Sequence, residues 1–132
     1  MLTAQPRTRD IPKPAEPITD PRKLAGVLAA VVTNYPHVMA RTRWAQARLA
    51  DGKLADLVED PSAVAFCATG VIDRLYANGV TTGAAAEELH TLLTSELLSQ
   101  GKGHLAAWWE NETGWDPTAA DYAALLRRVA EA

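Results

Sequence analysis

A thiol, an imidazole and a carboxamide are the parts of a nucleophilic hydrolase or transferase, and this chain holds one such set: Cys67, His104 as candidate base and Asn111 as orienter. Their separations match no diagnostic spacing. Cys67 also falls between Val64 and Val71 on an apolar stripe, where a thiol packs as a small hydrophobe. Gly70, one turn on, costs a helix about 1 kcal/mol against Ala. Its presence predicts a close backbone contact with another helix, shared with Cys67. The other imidazoles are His37 and His90, and no pair has the i, i+4 spacing that sets two ligands on one helical face, so no metal is expected. His90, between Glu87 and Thr94, reads as a surface residue. Asp73 and Asp121 are candidate carboxylates at helical positions where solvent exposure is the simpler reading. No phosphate loop, nucleophile elbow or paired-cysteine motif occurs, so no cofactor is expected and the balance leans away from an enzyme.

The second constellation is HLAAWWENETGW, residues 104–115, which concentrates three of the four tryptophans beside acidic and amide groups. Aromatic rings with polar handles next to hydrogen-bond acceptors are the material of partner-binding hot spots. The candidate partner-binding residues are Trp108, Trp109, Glu110, Asn111 and Trp115. The competing reading is that one of Trp108 and Trp109 plugs the end of a helical bundle while the other is half exposed.

Composition narrows the partner class. With 132 residues, 48% hydrophobic and 22% charged, the chain can bury a core of its own. A net charge of −3 provides no general field for phosphate backbones, so a protein partner is favoured over nucleic acid. Arg41, Arg43 and Arg48 around Trp44 form the one local basic group, read as a solvated outer face. A single cysteine fits a reducing compartment, and cytoplasm is the expected location. No run reaches the ~20 apolar residues that span a bilayer, and no apolar segment follows Arg7, Arg9 and Lys13, so neither membrane insertion nor secretion is expected. Oligomeric state is left open.

These groups need elements to position them. Residues 1–20 carry Pro6, Pro12, Pro14 and Pro17 and read as a disordered, proline-rich leader; residues 21–132 read as a single helical domain. Three Asp-Pro pairs, Asp20-Pro21, Asp60-Pro61 and Asp116-Pro117, each announce a helix start, since Asp caps free amides and Pro lacks one. The first helix carries Leu24, Val27, Leu28, Val31 and Tyr35 and ends at Pro36, with Arg22 and Lys23 at the end the macrodipole disfavours. The second runs from Asp60 to an Asn78-Gly79 cap. The third spans Thr82 to about Gln100 with Leu89, Leu93 and Leu97 in line and Glu87 and Glu88 in its first turn. The last places Tyr122, Leu126 and Val129 inward. In the stretch from Arg43 to Val58, Asp51-Gly52 suggests a two-residue hairpin turn while the alanine-rich composition also suits a helix; the hairpin is narrowly favoured. The expected fold is thus mainly α, a compact four-to-five-helix bundle, with a short two-stranded hairpin around residues 44–58.

From Trp44 onward the chain resembles an uncharacterised domain family of actinobacteria and their phages. The resemblance rests on Trp44-Ala45-Gln46, the excursion through Asp51-Gly52, Ala65 to Gly70 with its Cys-x-x-Gly, and Trp109-Glu110-Asn111 ahead of Thr118 to Ala130; Glu110-Asn111 stands where the family has Asn-Asp. It implies a helical fold and a phage or mobile-element origin. Together these readings lead to a non-enzymatic protein-binding module, an accessory protein or an inhibitor of a host defence complex. The alternatives are a Cys67/His104 enzyme and a structural subunit that oligomerises through its first helix.

Overall fold

The computed structural model describes residues 14–42 and 45–132. Five α-helices and a short two-stranded antiparallel sheet make it mainly α: α1 (Pro21–Asn34), β1 (Ala47–Leu49), β2 (Ala63–Phe66), α2 (Ala68–Ala77), α3 (Gly83–Ser99), α4 (Leu105–Trp109) and α5 (Ala119–Glu131).

Helix α1 begins as its local chemistry requires. The Asp20 carboxylate accepts the Arg22 amide at 3.0 Å, and Pro21 fills the first helical position. Leu24, Leu28 and Val32 are buried, and the helix packs chiefly on α5. Burying each such side chain stabilises the fold by about 1.5–3 kcal/mol. Arg22, unfavourable for its own helix, donates to the Val129 carbonyl at 2.9 Å, so it caps the C-terminal end of α5, where a cation is favoured. Structure already begins ahead of α1: Ile18 is buried, donates to Val80 O (2.8 Å) and accepts from Thr82 N (3.2 Å). Leader residues 1–13 lie outside the described residues.

The second Asp-Pro pair does not start a helix. Asp60 Oδ1 accepts Ser62 N at 2.8 Å and its carbonyl accepts Ala63 N at 3.0 Å, closing a turn that feeds β2. β2 pairs with β1 in the register Ala47↔Phe66, Arg48↔Ala65 and Leu49↔Ala63, with a bulge between Arg48 and Leu49. On the other side Ala40 N donates to Phe66 O at 2.9 Å. Pairing with β1 along the segment, and with the extended chain at Ala40 on the far side of Phe66, supplies Ala63–Phe66 with extended partners, and this overrides its helical reading. α2 starts only at Ala68, with Cys67 as cap. It ends at Asn78-Gly79 as expected: Gly79 takes φ +78, and bonds Val80 N to Leu75 O and Gly79 N to Tyr76 O complete a Schellman motif.

The strand that pairs with β1 is Ala63–Phe66, outside the expected hairpin of residues 44–58, within which the described residues form only an Arg48↔Leu54 bridge. The excursion does turn at Asp51-Gly52, but as a three-residue loop. Gly52 N bonds Leu49 O (3.0 Å), Gly52 has φ +87, and Leu49 N bonds Lys53 O (2.8 Å). α3 is capped by Thr82 Oγ1 on Ala85 N (3.2 Å) and buries Leu89, Leu93 and Leu97; Glu87 and Glu88 fall in its second turn rather than its first. α5 begins two residues past Asp116-Pro117. A capping box of Thr118 and Asp121 (3.2 and 2.8 Å) sets its start, and two reciprocal bonds outweigh the single cap that Asp116 could offer. No described helix is long and apolar enough to cross a membrane.

Candidate functional site: a groove beside Trp115

The tryptophan segment is divided by burial. Helix α4 carries Trp108 and Trp109 into the core, 4% and 1% exposed, where both rings lie against Tyr122 at centroid distances of 6.5 and 5.8 Å. Trp109 Nε1 donates to Ala40 O at 2.8 Å. The Tyr122 hydroxyl donates to Ala68 O at 2.8 Å, and its phenol is held well above its ordinary pKa, first by burial and then by the nearby Cys67 and Asp73. These rings form the packed end of the core, with only an edge of Trp108 left to line the surface beside it. Trp115, in contrast, is 44% exposed.

Between them, residues 110–117 are fastened to the segment after α1. Glu110 Oε1 accepts both the Thr42 amide (3.0 Å) and its hydroxyl (3.2 Å). The Arg41 guanidinium stacks over Trp109, 4.2 Å from the ring centroid, and donates to Asn111 Oδ1 (3.2 Å), Asp116 Oδ1 (3.3 Å) and the Pro117 carbonyl. Asn111, at φ +67, returns a bond to Asp116 Oδ1 at 3.3 Å. Thr113 Oγ1 ties the same segment to Lys102 O at 3.0 Å.

This fastening leaves a groove of about 640 Å³ between the end of α3, α5 and residues 115–117. Buried Leu97, Trp108 and Leu125 floor it, Trp115 forms a wall, and Lys102 Nζ lies 4.9 Å from the Trp115 ring centroid. Asp116, Asp121, Arg127, Arg128 and Glu131 also line it. An apolar floor with a half-exposed indole and charges of both signs is suited to recognition.

The thiol set does not assemble. Cys67 is buried as the cap of α2, its sulfur accepting Gly70 N at 3.2 Å and lying 3.2 Å from Thr69 Oγ1. His104 stands exposed at the N-cap position of α4 without a side-chain capping bond, and among the described residues no hydrogen bond joins it to Cys67. Gly70 does make a close backbone contact, but with Gln46 of the strand approach rather than with another helix. The imidazole that meets a carboxylate is His90, whose Nε2 lies 3.1 Å from Asp73 Oδ1, while Gln46 Nε2 donates to Asp73 Oδ2 at 3.1 Å. Asp73 and His90 thus join α2, α3 and the approach to β1, and neither is a plainly solvated residue. Asp121 is occupied in its capping box. Among the described residues no group of three or more His, Cys, Asp or Glu is placed to hold a metal ion. Of the basic group, Arg41 faces inward onto Trp109, Arg48 donates to the carbonyls of Arg41 and Gly52, and Arg43 and Trp44 lie outside the described residues.

Of the two cations that set the site, sequence reasoning read Arg41 as part of a solvated outer face and passed over Lys102. Their partners lie 70 and 13 positions away, and no periodicity reports such pairings. The chain matches no protein-family model, no curated protein and no solved structure.

Proposed function

We propose that this chain is a protein-binding module without catalytic activity, and that its contact surface is the groove beside Trp115. The observation that carries this reading is the half-exposed Trp115 indole over an apolar floor, on a segment that Arg41, Glu110 and Thr113 hold in place. A fixed aromatic anchor loses little conformational freedom on binding, which is why such residues dominate interface energetics. The finer reading of the fold, a helical bundle, supplies the rigid frame behind it. In the setting implied by the resemblance to an actinobacterial and phage family, the module would act in the cytoplasm as an accessory protein or an inhibitor of a host defence complex.

The test is selection from a random peptide display library on the wild-type chain, followed by affinity measurement on Trp115→Ala. Peptides that bind the groove should lose about thirtyfold, the ~2 kcal/mol of a tryptophan hot spot. Selected peptides that bind Trp115→Ala as tightly as wild type would overturn the assignment.

A further inference from the structure

We infer, on the strength of that proposed function, that the groove takes a basic segment of its protein partner, with a lysine or arginine side chain seated on Trp115 in the place now held by Lys102. The indole already accepts a cation, since Lys102 Nζ stands 4.9 Å from its centroid, within the ~6 Å over which a ring quadrupole attracts an ammonium. The chain thus carries its own stand-in for the ligand group. Carboxylates flank the position. Asp116 directly follows Trp115 with its side chain 88% exposed, and Asp121 and Glu131 line the same groove.

The groove's other cations are engaged elsewhere. Arg128 pairs through Nε with Glu96, and Arg127 Nη1 donates to Thr33 Oγ1 at 3.1 Å. Among the described residues, two of these carboxylates keep acceptor capacity beyond their internal bonds: Asp116 uses only Oδ1, toward Arg41 and Asn111, and Asp121 only Oδ2, toward Thr118 N. An incoming guanidinium or ammonium therefore finds both an aromatic face and free acceptor oxygens. The chain's charge of −3 steers it the same way.

The experiment uses an acetylated nonapeptide alternating arginine with leucine, the same peptide with glutamate for arginine, and amide-resolved NMR of the full chain, with the Trp115 indole resonance identified through Trp115→Phe. The arginine peptide should shift the Trp115 resonance and leave Trp109 unmoved. Asp116→Asn and Glu131→Gln should weaken it. Lys102→Met should tighten it by roughly two- to fivefold, because the internal competitor is gone. Lys102→Met is the discriminating variant: an acidic occupant would bind it more weakly. If the glutamate peptide binds better than the arginine peptide, or if Lys102→Met weakens the arginine peptide, the inference fails while the groove remains a binding surface. If neither peptide moves Trp115, the groove assignment falls with it.

Discussion

Replacing Gly70 with Ala sets two effects of opposite sign against each other. Gly70 lies in the first turn of α2, where helix propensity alone makes Ala the better residue by up to about 1 kcal/mol. Yet a Cβ there would stand 2.1 Å from the Gln46 carbonyl oxygen and 3.0 Å from its carbon. That obstacle is backbone, so relief requires α2 and the approach to β1 to part by about 1 Å. Parting them strains the Cys67 N to Gln46 O bond (3.1 Å) and the Gln46 to Asp73 bond. Overpacking of this kind costs about 1–3 kcal/mol and a lost hydrogen bond about 1 more. After the propensity gain, the expected net loss is about 1–3 kcal/mol. Urea unfolding followed by far-UV circular dichroism should show the midpoint falling by about 0.5–1.5 M, taking a slope of about 2 kcal/mol/M. Gly26→Ala is the control: its Cβ would meet only Ala130 Cβ, at an ordinary 3.8 Å, so the propensity term acts alone and the midpoint should rise. A Gly70→Ala midpoint equal to or above wild type would refute the account of the contact.

The site and its surroundings give three further outcomes. Arg41→Ala removes the stack on Trp109 and the donor that serves three acceptors, at a cost of about 2–3 kcal/mol, and acrylamide quenching of Trp115 emission should increase as its segment loosens; unchanged quenching, read against Trp115→Phe, would show that Arg41 does not hold the segment. Tyr122 has a folded pKa raised above its unfolded value, so its contribution is fully present below about pH 10 and is lost as pH rises beyond, at about 1.4 kcal/mol per pH unit. Tyr122→Phe should flatten that alkaline slope while costing about 1 kcal/mol at neutral pH for the Ala68 bond, and an unaltered slope would place the titration elsewhere. Cys67, 6% exposed, should react slowly with an aromatic disulfide in the native protein and rapidly in urea, whereas rapid native labelling would contradict its role as a buried cap.

What the sequence disclosed and what it concealed divide along interaction range. α1 and α3 were legible because their caps, Asp20-Pro21 and Thr82, and their leucine stripes lie within a few residues of one another. The Gly79 stop of α2 was legible for the same reason. Its start was not: Ala63–Phe66 carries no periodic feature that separates strand from helix, and its strand partners are Ala40 and Ala47, far upstream. At α5 two local signals competed, and the Thr118/Asp121 pair prevailed over Asp116. In the site, the concentration of tryptophans was visible, but their division into buried Trp108 and Trp109 and exposed Trp115 was not. Helix α4 is a single short turn, and Arg41 organises the loop after it from a distant part of the chain.

The pairing of α1 with α5 bears on how this molecule comes into being. α1 finds its main partner in α5, far along the chain, so during synthesis Leu24, Leu28 and Val32 lack the larger part of their packing surface until α5 has been made. At about 5–20 residues per second that interval lasts several seconds. A nascent chain in that condition is a client for ribosome-associated chaperones, and one released before α5 has been made keeps much of that apolar face bare.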